Sequence, residues 1–317
     1  MKRARLRLLT LAGALFLASA GASAQTAQPA QPAQPTQPPL LRIYNAEGKS
    51  VSLDDVIAAM SAAHVVFVGE THNDAAAHWS ELQLLQGAFT RYGAPRAEGA
   101  RNVVLSLEMF ERDTQAVLDE YLAGLIAERH FLAASRPWKN YETDYRPLVE
   151  FARTHKLPVV AANAPERYVS RVGRLGRESL RELSTEAKRW LPPLPYAQAS
   201  AAYASKFKQV MGDMTGAGAH GSPFLLDAQA LRDATMAHSL AEQLRATPRA
   251  LIVHVNGNFH SEERLGTPEH LRAYRPDTRA LVVTILPGNS AASPNDANNF
   301  KGLGDFVIVS GQAEAAR

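Results

Sequence analysis

The sequence predicts an α/β fold: a mostly parallel β-sheet flanked by helices, with a small inserted helical subdomain. Three observations carry this. Short runs of β-branched and other apolar residues recur along the chain. Segments of helical period separate them. One long interval, 165–249, has helical period but no convincing strand. Strand and helix in alternation imply parallel pairing through crossover connections, with both sheet faces covered.

Strands are expected near 41–44, 64–68, 103–107, 158–162, 251–255, 280–286 and 306–310. Helices are expected over 75–89, 113–123 and 146–155, and, within the insert, over 166–175, 177–190, 197–211 and 226–244. A Pro-rich stretch at 191–195 and a Gly-rich stretch at 212–222 divide the insert. Asp227 is the expected cap of its last helix, and the loop before that helix is expected to be mobile. The sheet domain is therefore 40–164 with 250–317, and the helical insert is 165–249.

The first residues have the character of a secretory signal peptide. Lys2, Arg3, Arg5 and Arg7 precede an apolar stretch at 8–17, and Ala22-Ser23-Ala24 offers a small-residue cleavage site, so residues 1–24 are assigned to the leader. Residues 25–39 form a Pro/Gln/Ala-rich disordered linker without enough apolar surface to fold. Removing the leader leaves 30 basic residues against 31 acidic ones, so the basic balance belongs to the exported segment. Nucleic acid is not an expected partner, because no basic stripe interleaves with aromatics. The chain has no cysteine. That excludes thiolate catalysis, Cys-ligated zinc, iron–sulfur clusters, c-type haem attachment and a lipid-modified cysteine, so a periplasmic protein that is not a lipoprotein is expected.

The chemistry concentrates in two Gly-x-x-His segments, Gly69-Glu-Thr-His72 and Gly257-Asn-Phe-His260, each directly after an apolar run. In an open parallel sheet, strand carboxyl ends share one edge, so these remote segments can meet in one crevice. Glu108, after the run 102–107, would join them. Glu70, His72, Glu108 and His260 are the candidate catalytic residues: two imidazoles and two carboxylates. They suit either a divalent metal such as zinc or manganese, with Glu70, His72 and His260 as ligands, or a metal-free acid/base pair. His78, on the following helix, could face the crevice or solvent. His254 alternates within a strand and reads as packed, while His64, His130, His155, His220, His238 and His270 default to surface or capping roles. The dense aromatic segment at 138–145 could pave an apolar pocket or stack on a planar ligand, and a tyrosinate can bind ferric haem iron.

Taken in order, several blocks resemble the ChaN-like haem-binding uptake family. They are 65–74 with His78, Leu107-Glu-Met-Phe-Glu-Arg-Asp-Thr-Gln115, Trp138/Tyr141/Tyr145, Ala162-Asn-Ala-Pro165, the segment 229–237 and Val255-Asn-Gly-Asn-Phe-His260. The resemblance implies a periplasmic or outer-membrane-associated protein linked to iron acquisition. Haem would be held between two subunits, hence a homodimer, with a tyrosine as axial ligand and an outer-membrane haem uptake system as partner. Tyr141, Tyr145 and Tyr168 are the candidates for that tyrosine. Arg146, with Arg112 and Arg167, is a candidate partner of the propionates. The wider superfamily also includes Tiki-type metalloproteases and erythromycin esterases, in which positions equivalent to Glu70, His72, Glu108 and His260 serve hydrolysis. Haem binding for uptake is thus the leading expectation, and a metal-dependent hydrolase is its alternative.

Overall fold

A computed structural model describes residues 38–95, 97, 99–214, 223–288 and 300–311. The expected leader at 1–24, all but the end of the Pro/Gln/Ala tract, and residues 215–222, with His220, lie outside the described residues.

The seven apolar runs form seven strands: β1 (Leu41–Asn45), β2 (Val65–Glu70), β3 (Val103–Glu111), β4 (Val159–Asn163), β5 (Leu251–Gly257), β6 (Ala280–Pro287) and β7 (Phe306–Ser310). They make one sheet in the order β1-β7-β6-β2-β5-β3-β4. β1 pairs antiparallel with β7 at one edge, and the other pairs are parallel. Every residue of β2 and β5 is buried, which is why these strands read as continuous apolar runs rather than as an alternation.

Helix α1 (Leu53–Ala59) precedes β2, and α2 (Ala75–Ala88) joins β2 to β3. A reciprocal cap between Ser52 and Asp55 starts α1, and Asp74 caps α2. Helices α3 (Gln115–Leu122), α4 (Glu128–Ser135) and α5 (Arg146–His155) lie between β3 and β4. Between β4 and β5 come α6 (Glu166–Leu175), α7 (Thr185–Lys188), α8 (Ala201–Met214) and α9 (Leu225–Ala246), and α10 (Thr267–Tyr274) precedes β6.

Alternation along the strands divides the core. Val66 and Val68 of β2 join a cluster with Val56 of α1, Leu84 and Leu85 of α2 and Leu148 of α5. Val65 and Phe67 pack the other way, against Leu240 and Leu244 of α9 and Leu271 of α10. The helices between β4 and β5 hold a further cluster of their own, built from Val169, Val172, Leu180, Leu191, Tyr196 and Leu231.

Several details depart from the sequence expectation. The segment at 177–190 is not one helix: a 3-10 turn at Arg177–Glu182 ends in extended Leu183, and Ser184 then caps the single turn of α7. Asp227 is not a cap. It stands in the first turn of α9, whose boundary residue is Phe224. α1, α4 and α10, of seven or eight residues each, were not anticipated. His270 is buried rather than superficial.

Candidate functional site

The parallel register of β2 and β5 places Glu70 directly beside Gly257, so both Gly-x-x-His segments leave the sheet at the same point. β3 flanks β5 on the other side. Its regular pairing stops at Leu107 opposite Val255, and a register shift follows before Glu111 meets Asn163. Glu108 lies in that bulge, and its Oε2 accepts the Gly257 N–H at 2.7 Å, where a side chain takes over from the backbone ladder.

The two motif glycines make room for each other's loops. A Cβ on Gly69 would stand 2.5 Å from Asn258 Oδ1, and a Cβ on Gly257 would stand 2.8 Å from the His72 ring. Any side chain at either position would push the two loops apart.

Glu70 is the hub of the first half of the site. Its Oε1 accepts from the Tyr145 hydroxyl at 2.7 Å and lies 2.7 Å from His72 Nδ1, while its Oε2 lies 2.9 Å from His78 Nδ1. Tyr145 closes a π-helical turn, Tyr141–Tyr145, and this wider turn aims its hydroxyl at the strand end. From the same segment, Asn140 donates to the His72 carbonyl, and the Trp138 ring meets the His72 ring edge-on at 4.8 Å. His78 faces the site, and with Glu81 one turn later it adds a buried carboxylate that the sequence reading did not single out.

His260 anchors the second half. Its Nε2 lies 3.4 Å from Glu108 Oε1, and its Nδ1 lies 2.8 Å from Asp233 Oδ1. Asp233, on α9, also accepts from the Tyr203 hydroxyl and from Thr267 Oγ1. His254 lies deeper in β5, against Ser106 Oγ at 2.9 Å. Glu70, Glu108 and His260 are nearly enclosed, whereas the His72 side chain is 42% exposed and forms the open face of the group.

Electrostatics divide these groups sharply. Burial would raise the Glu70 carboxyl, but His72 and His78 overcome that and hold it down at about 2. Burial raises Glu81 well above the ordinary carboxylate range, and the charge on Glu70 adds to the effect. His260 is held up at about 10 by Glu108 and Asp233 against the cost of burial, and Glu108 is held down at about 2 by His260 and His72 against the same cost. His254 has no comparable partner, and burial drives it down to about 4. His72 is raised, because Glu70 and Glu108 outweigh desolvation. The arrangement is two histidine–carboxylate pairs meeting at Gly257, able to hold and pass protons at one exposed imidazole.

Glu70, His72, Glu108 and His260 thus lie together. The trio Glu70, His72 and His260 does not form a three-donor set. Among the described residues the group whose donor atoms all lie within 4.8 Å of one another is Glu70, His78 and Glu81. Tyr145 is inside the site as a partner of Glu70. Tyr141 is packed among Phe110 and Phe131, with its hydroxyl unpartnered. Tyr168 is buried under the Arg167 guanidinium. Arg146 is turned to Glu128, Arg112 to Glu242 and His238, and Arg167 to Asp113, so each of these cations already has a carboxylate partner. Asp233 was missed. Its signal is an acidic residue within the buried stripe of α9, between Leu231 and Ala234.

Residues 56–271 match the family described as haem-binding uptake, Tiki superfamily, ChaN. Among solved structures, the chain is similar to ChaN of Campylobacter jejuni, whose structure shows cofacial haem binding. The TM-score is 0.60 at 16% identity, over 86% of this chain and 97% of that one, and the likeness is one of fold. A mutant of the erythromycin esterase EreC in its open conformation aligns with a TM-score of 0.44 at 13% identity, over 88% of this chain and 84% of that one. No curated protein matches. With well over half of its length inside the family match, the chain belongs to the ChaN haem-binding uptake family of the Tiki superfamily.

Proposed function

We propose that this chain binds haem in the periplasm and acts in haem or iron uptake. The family match over residues 56–271 carries the reading. Haem brings two apolar faces, two carboxylates and an iron that supplies redox and ligand-binding chemistry when bound. The apolar and anionic requirements have a counterpart in the helices between β4 and β5. Leu175 is 53% exposed and Phe224 is 41% exposed, and the Phe224 ring lies against Gly176. Arg177 follows directly, with one guanidinium nitrogen buried and unpartnered. With Lys188 it lines a cleft of about 270 Å³, in which Arg181 is paired with Glu178. Exposed apolar side chains and cations carried by the same group of helices suit a porphyrin with its propionates. Tyr141, Tyr145 and Tyr168 do not fit as iron ligands as folded: all three are enclosed, and burial raises the Tyr141 and Tyr145 hydroxyls far above their ordinary value, against the tyrosinate form. Hemin titration of the chain lacking residues 1–24 should give a shifted Soret band that saturates at a defined ratio. Absorbance identical to free hemin would remove the reading.

A second reading, hydrolysis, is favoured by one observation. His72 is half-exposed and braced on Nδ1 by Glu70, and its opposite edge faces Gly257 and Glu108. A braced, accessible imidazole beside a second carboxylate is suited to activating water. Turnover of a panel of activated esters and peptides, abolished in His72→Ala, would support it. Absence of turnover across the panel would count against it.

A further inference from the structure

The geometry points to a buried divalent-cation site formed by Glu70, His78 and Glu81, separate from any haem surface and from the His260 half of the cluster. The three donors come from the end of β2 and from one face of α2, where His78 and Glu81 are three residues apart and therefore neighbours. His78 Nδ1 lies 2.9 Å from Glu70 Oε2 and 3.4 Å from Glu81 Oε2, and one donor atom from each residue falls within a 4.8 Å group. Metal–ligand bonds of roughly 2.0–2.2 Å set adjacent donors roughly 3.0–3.5 Å apart, a range the two His78 spacings match.

Two independent features aim this cluster at a cation. Glu81 is fully enclosed, and its Oε1 has no hydrogen-bond partner. Glu70 Oε2 is enclosed and faces His78 Nδ1 at 2.9 Å. A buried carboxylate oxygen left as Glu81 Oε1 is left is costly unless something positive stands beside it. The imidazole is also oriented as a ligand would be. His78 Nε2 lies 3.3 Å from Asp144 Oδ2 and 3.3 Å from the His72 carbonyl, which hold a proton on that side, so a bound cation would displace only the Nδ1 proton that faces Glu70 and Glu81. Glu70 Oε1 is fixed by Tyr145 and His72, which leaves Oε2 directed inward. Two carboxylates and one imidazole suit a first-row divalent ion such as Zn²⁺ or Mn²⁺, and two negative charges neutralise it in a dry site. The competitor for the same place is a proton shared by the glutamates.

The test uses the chain without residues 1–24, unfolded with chelator and refolded with Zn²⁺ or Mn²⁺, followed by desalting and elemental analysis. The expected result is one ion per chain, with a higher melting temperature than the metal-free protein. Glu81→Gln should lower affinity at least tenfold, and Glu108→Gln should keep it. A wild type that takes up neither ion overturns the site in favour of the proton. So does a Glu81→Gln variant that binds as well as wild type. Histidine ¹⁵N spectra of wild type with and without Zn²⁺ decide without any variant. A moved His78 Nδ1 resonance supports the site, and movement confined to His72 and His260 overturns it.

Discussion

Gly257 and His72 meet where the two Gly-x-x-His loops cross: a Cβ on the glycine would lie 2.8 Å from the ring. The reciprocal contact, Gly69 against Asn258, is closer and reaches the Asn258 backbone at 3.3 Å. Asn258 is pinned by its bond to the Ile285 carbonyl, whereas the Gly257 contact is with the half-exposed His72 side chain and not with backbone. Gly69→Ala should therefore destabilise more than Gly257→Ala, both within the roughly 1–3 kcal/mol typical of overpacking. Urea denaturation of the two variants checks the order, and a reversed ranking would contradict the contact.

The Glu108–His260 pair should shape the pH profile of stability. Burial opposes the charge on His260, but Glu108 and Asp233 raise it to about 10. Its contribution is complete below the ordinary histidine value of about 6.5 and is lost as pH climbs through about 10. Glu108, lowered to about 2 against burial, contributes fully above the ordinary value of 4.5 and loses that contribution as pH falls toward about 2. Urea midpoints measured from about pH 6 to about pH 10 should fall more steeply for wild type than for His260→Gln.

Asp233 is the buried partner of that imidazole. Asp233→Asn leaves an enclosed His260 facing a neutral amide and disturbs the bonds from Tyr203 and Thr267. A loss of about 3–5 kcal/mol is expected, as for other broken buried ion pairs. Chemical denaturation at neutral pH measures it.

For haem, the exposed plate of Leu175 and Phe224 is the testable surface. Phe224→Asp should weaken hemin binding about tenfold or more, since burying one such ring is worth roughly 1.5–3 kcal/mol. Soret titrations of wild type and variant compare them directly. Equal affinities would move the porphyrin elsewhere on the chain.

The sheet was legible because its central strands are buried on both faces, so Val65–Val68 and Leu251–Val255 announce themselves as unbroken apolar runs. The convergence of Glu70, His72, Glu108 and His260 followed from strand ends sharing one edge. What stayed hidden depends on helix rotation. Asp233 and Glu81 stand on buried faces of α9 and α2, and His78 was left open between crevice and solvent, because only the apolar neighbours of a helical charge tell which way it turns. The edge pairing of β1 with β7 was equally illegible, since strand direction at a sheet margin is set by a long-range partner. Tyr141 shows the limit of resemblance: a ring matching a family block is here a core residue against Phe110.

β5 lies between β2 and β3, two strands that leave the ribosome long before it. During synthesis, those earlier strands present unpaired margins until a late segment is slotted between them. Such non-local topology slows assembly and leaves aggregation-prone intermediates in need of chaperone shielding. A chain that ends before β5 would carry Glu70, His72 and Glu108 but lack Gly257 and His260, the hinge and the second imidazole of the site.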